Sequence, residues 1–196
     1  MPIRFAPEPR NASSIVRAGL DRLAVRESPL KIPQEAFSTL AMDSFHAVYD
    51  LRADEVAKGG GLETAHPTGF RYLVRSANAA IAAAEVHTDA SGQASLLANL
   101  NYGPYVDATA RAFNDLTATE PVRSGSYEAR LLRFSAIYLV AIWLKADPPG
   151  SDIIYPLAPA PADLQAGRAY SVADFLRAIR PIAQKRTAAT GKDPVP

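Results

Sequence analysis

The sequence predicts an α+β fold: a mainly antiparallel sheet of about five or six strands with helices packed on it, preceded by an N-terminal helical hairpin. Three observations carry this expectation. Ser126 to Lys145 begins with strand-like alternation and becomes apolar on both faces from Ala136 to Leu144, as in a strand buried between two layers. Alternation of period two recurs between Gly69 and Leu157, while apolar residues before Lys58 recur at helical spacing.

The elements follow in order. The proline-rich first ten residues read as extended chain. Asn11 or Ser13 can cap a first helix carrying Val16, Leu20 and Leu23 on one face, ended by Ser28-Pro29. Pro33 suits the first position of a second helix, with Phe37, Leu40, Ala41, Phe45, Val48 and Leu51 as its apolar stripe and Lys58-Gly59-Gly60-Gly61 as its stop. The hairpin and its glycine joint thus span 1–61, as part of one domain or as an appendage to it.

An α+β core is expected over 62–186. Phe70, Tyr72 and Val74 alternate with Arg71 and Arg75, as in a half-buried strand. The alanines of 78–88 favour helix. The turn Asp89-Ala90-Ser91-Gly92 and the strand-like run from Gln93 to Tyr102 instead select a β-hairpin. Gly103-Pro104 opens a helix with Val106, Ala110, Phe113 and Leu116 on one face. Ser126–Lys145 then reads as two strands with a bend near Ser135, and Asp152–Leu157 as a short strand that Pro156 ends or confines to an edge. Ser171 with Asp174 has the spacing of a capping box for a last helix, which Pro181 kinks or restarts. Residues 187–196 read as a disordered tail.

Composition removes several function classes. The 196 residues contain no cysteine, so there is no disulfide framework, thiol nucleophile or thiolate metal site. The net charge of +1 and the lack of any Lys/Arg run give nucleic acid no basic stripe to follow. Phe134–Leu144 is uncharged for 11 residues, whereas a membrane span needs about 20, so no membrane partner is expected. Met1–Leu20 holds Arg4, Glu8, Arg10 and Arg17 and no apolar core of signal-peptide length, which makes cytoplasm the expected location. The excess of arginine over lysine and the many alanines suit a GC-rich bacterial genome.

The best local candidate for a ligand site is the strand-to-helix junction around Asn99, Asn101, Tyr102 and Gly103. Glycine permits close backbone approach, and a helix start offers N–H donors to an anion, although Pro104 removes one of them. The plain alternative is a tight turn with solvated asparagines. Arg71, Arg75, Arg130 and Arg133 could add an anion patch, with Arg71 and Arg130 as the arginines assigned to the site. Arg130 and Arg133, three apart, belong on opposite faces of a regular strand, and Glu85 and Glu128 could pair with the arginines instead. His46 and Asp50 have i,i+4 spacing, but no second histidine joins them, so neither metal nor cofactor is expected. No serine-nucleophile elbow, P-loop or dinucleotide fingerprint is present.

Three functions follow from these readings. The first is a non-catalytic association or assembly module that pairs with itself or another protein through the N-terminal helices or the sheet. The second is a binder of a small anionic metabolite at residues 99–105. The third is an enzyme of unrecognised type with Glu85 or His87 as general base.

Overall fold

The computed structural model describes residues 2–24, 34–77, 79–89 and 91–190. In chain order the elements are β1 (Ile3–Phe5), α1 (Ala12–Ala24), β2 (Ala41–Asp50), α2 (Ala53–Ala57), β3 (His66–Ser76), β4 (Ala79–Thr88) and β5 (Ala94–Asn101). They continue as α3 (Pro104–Ala118), α4 (Glu120–Ser124), β6 (Tyr127–Phe134), β7 (Leu139–Ala146), β8 (Ile153–Pro156), β9 (Tyr170–Ser171) and α5 (Val172–Thr190).

The strands form one nine-stranded sheet in the order β5-β4-β3-β2-β6-β7-β8-β9, with β1 beside β6. The sheet consists of two antiparallel meanders, β2 to β5 and β6 to β9, whose first strands lie side by side and parallel. β1 also pairs parallel with β6, along the Tyr127–Ala129 stretch that precedes the Arg130–Arg133 stretch held by β2. The sheet is therefore mixed and larger than the five or six mainly antiparallel strands expected; the parallel seam is made by segments far apart in sequence, where local pattern gives no signal.

The expected N-terminal helical hairpin is also corrected. Its first helix exists as α1, but Ala41–Asp50 of the expected second helix is β2, between β3 and β6 in the sheet. Pro33, its expected start, lies outside the described residues. The misreading has a physical cause. β2 is covered on both faces, so apolar residues need not alternate along it. Ser44 takes a positive φ of 48°, and the register with β3 shifts between Asp43 and His46. That bulge breaks the period-two phase and leaves Phe45 and Val48 at a helix-like spacing.

Helices cover both faces. α3 and α4 pack on one, burying Leu116 and Val122 against Leu131, Ile142 and Leu144. On the other, α2 and α5 bury Val56, Phe175 and Ile179 against Leu132, Phe134 and Trp143. α1 lies on that second face over the first meander, with Val16 and Leu20 against Tyr72, Val74 and Val86. The segment Ser126–Lys145 forms β6 and β7, joined by a 3-10 turn at Ser135–Ile137. Ser171 caps α5, its Oγ accepting from Asp174 N at 3.1 Å and donating to Asp174 Oδ2 at 2.8 Å. α5 runs through Pro181 to Thr190. The rest of the expected tail lies outside the described residues.

Candidate functional site

Two of the residues assigned to the anion site, Asn99 and Tyr102, line one groove between α1 and β5, whose lining includes neither Arg71 nor Arg130. Asn99 and Asn101 lie on β5 on the α3 face, hydrogen-bonded to each other at 3.0 Å. Gly103, with φ of 116°, turns the chain into α3, and Tyr102 beside it is 44% exposed. Arg71 is buried on β3 with 2% exposure, and its row across the strands is Arg71, Glu85, Asn99. A carboxylate therefore stands between the arginine and the asparagine. Arg130 is on the opposite face of the sheet, stacked on Tyr49 and Trp143. Asn101, Tyr102, Arg71 and Arg130 share no concavity in the structure.

Arg71 belongs instead to a polar cluster under α3. Arg133 donates from Nη1 to Glu85 Oε2 at 2.8 Å and from Nε to Asp50 Oδ1 at 2.7 Å. Arg71 Nε lies 3.7 Å from Glu85 Oε1, and its Nη1 is 3.4 Å from Thr109 Oγ1. Burial lowers the pKa of the Arg71 guanidinium, with Glu85 opposing and Arg133 reinforcing that fall. Burial also works against Arg133, but the hydrogen bonds to Asp50 and the Glu85 charge outweigh it and raise its pKa. Two arginines thus meet two carboxylates. The charges of the cluster compensate one another and hold β2, β3, β4 and β6 together, while the buried Arg71 Nε has no hydrogen-bond partner among the described residues.

Glu85 and His87 both line a cavity of about 10 Å³, room for about one water and no more. His46 is fully buried on β2, its Nδ1 donating to Ser44 O at 2.7 Å, while Nε2 has no partner among the described residues. Burial, and then the Arg71 charge, push its pKa down to about 3, so the ring is neutral. His46 and Asp50 point to one face, as strand residues four apart do, yet Asp50 is taken by Arg133. Among the described residues no group of three metal-ligating side chains forms, and no helix is long and apolar enough to cross a membrane.

Sequence reading named Asn99 and Tyr102 but not the groove they line, which measures about 1030 Å³ and lies between α1 and β5. Its helix side is Ile15, Ala18, Gly19 and Arg22, and its strand side runs from Ser95 to Leu100 and ends at Tyr102. Gly19 allows the helix to come down on Leu97: a Cβ there would stand 2.3 Å from Leu97 Cδ2. β5 is the last strand of the sheet, and no described strand pairs with its outer side. Asn11, named with Ser13 as a possible cap, stands directly before α1 and its carbonyl accepts from Ile15 N at 3.0 Å, while its Nδ2 donates to Ala94 O at 3.0 Å. Leu96 is 51% exposed. The one available signal was the uncharged run Gln93–Pro104 ahead of a helix; that α1 would border it depends on tertiary packing.

Protein-family models, curated protein sequences and solved structures give no match to this chain.

Proposed function

We propose that the chain is an association module that pairs with a second copy of itself along β5. The observation that carries this is the state of that edge. Edge strands expose unpaired backbone N–H and C=O groups, and monomeric proteins blunt them with charge, proline, shortness or a cover. β5 has eight residues, none of them charged or proline. The opposite edge, β9, has two residues and leads straight into α5. One end of the sheet is short and runs into a helix, whereas along the other no described strand, charge or proline guards the edge.

A second copy is a suitable partner for three physical reasons. A two-fold axis lays a strand antiparallel to itself, the geometry that allows hydrogen-bonded extension of this edge. The uncharged run from Gln93 to Pro104 brings no like charges together across the pair. Exposed Leu96 and the α1 groove that it helps to line offer apolar surface beside the joint. The N-terminal helix contributes to association here as one wall of the groove.

Light scattering coupled to gel filtration tests this reading. The expected mass is about twice the 21.0 kDa of one chain. Leu96→Lys, which places a charge on an exposed edge position, returns the mass to one chain while changing stability by no more than about 0.5 kcal/mol. A wild-type chain that stays monomeric at high micromolar concentration contradicts the proposal.

A further inference from the structure

We propose a second site, on the opposite half of the molecule, that binds a small monocarboxylate with an apolar body. It rests on the guanidinium of Arg130. The side chain is 12% exposed, with its Cζ 4.5 Å from the Tyr49 ring centre and 4.7 Å from that of Trp143. Its Nε donates to Glu128 Oε1 at 2.7 Å, whereas its two Nη groups make no hydrogen bond to any described residue. A largely buried cation normally spends its donors. Arg130 keeps four N–H groups unspent, and it lines a cavity of about 510 Å³.

The surroundings define the ligand. The neighbouring carboxylates are already committed. Asp152 accepts from Trp143 Nε1 at 2.7 Å and from Ala146 N at 2.9 Å, and Glu63 accepts from Gly61 N at 2.7 Å. None of them accepts from the Nη groups. Lys145, exposed and without an ion pair to any described residue, adds a second cation at the rim. The two cations Arg130 and Lys145 meet three carboxylates, Glu63 and Asp152 in the lining and the Glu128 that holds Arg130 Nε, so a doubly charged phosphate is repelled more strongly than a single negative charge seated on the Nη fork. Two parallel N–H groups match a planar carboxylate bidentately. Leu62, Ala65 and Val172 supply apolar wall for the remainder of the ligand. The planar, aromatic-stacked guanidinium is already held in place, so little ordering is required on binding.

Trp143 is the chain's one tryptophan, so its fluorescence reports directly on this cavity. Sodium benzoate is the probe, with benzamide as its neutral counterpart and inorganic phosphate as the doubly charged anion. Titrated into the full chain, benzoate is expected to change Trp143 emission saturably, while benzamide and phosphate do not. Arg130→Lys keeps the charge but loses the fork and should weaken benzoate roughly tenfold or more. Lys145→Gln, at an exposed position that cannot unfold the chain, should weaken it severalfold, so the test stands even if position 130 tolerates no change. Absence of a saturable benzoate response, an equal response to benzamide or phosphate, or unaltered binding in both variants would overturn the proposal.

Discussion

Two arginines converge on Glu85, and one of them, Arg71, is nearly inaccessible to water. Removing the carboxylate charge leaves Arg71 buried with no counter-ion, a situation that costs far more than an exposed pair is worth. Glu85→Gln should therefore destabilise the fold by roughly 3–5 kcal/mol in urea denaturation. A loss below about 1 kcal/mol would mean that Arg71 finds another partner. His46 makes a prediction of different form. Its folded-state pKa, about 3, lies below the unfolded value of 6.5, so the unfolded chain binds the proton first as pH falls. The stability it contributes is complete above pH 6.5 and declines as pH falls from there towards 3, by up to about 1.4 kcal/mol per pH unit. Urea midpoints measured at several pH values in this window should show a shallower slope for His46→Leu than for the wild type. An unchanged slope would show that the carboxylates alone set the acid sensitivity.

At the scale of elements, legibility in the sequence followed how each strand is covered. β6 and β7 were readable because β6 alternates, the two join through a short turn, and no charge interrupts the chain between Arg133 and Lys145. The opposite orientation of Arg130 and Arg133 followed from strand period alone, and the structure has it so. β2 was not readable, since its bulge at Ser44 and its two covered faces erase alternation and imitate a helical stripe. The candidate site was less legible still. A junction such as Asn99–Gly103 announces a turn, but which arginines lie near it depends on strand order, and that order includes a seam between β2 and β6 that no local signal marks. Backbone approach also sets a prediction at this scale. β3 and β4 pass so closely at Gly69 that a Cβ there would lie 2.0 Å from the Val86 carbonyl oxygen. Because the obstacle is backbone, it cannot rotate away, and Gly69→Ala should cost about 1–3 kcal/mol in thermal or urea unfolding. A neutral Gly69→Ala would show that the two strands can part without loss.

For the whole molecule, the consequential asymmetry is between the ends of the sheet. Helices cover both faces, and a two-residue strand running into α5 closes one edge. The other edge ends in eight uncharged residues with a groove at their side. Association along that edge accounts for a feature that an isolated chain would have reason to lose, because an unguarded edge invites unspecific pairing. Hydrogen exchange of the intact chain, compared at low and high protein concentration, tests this most directly. The account predicts that backbone amides within Ala94–Asn101 exchange more slowly at high concentration, while those of β9 do not change. Equal exchange of the β5 amides at both concentrations would contradict it.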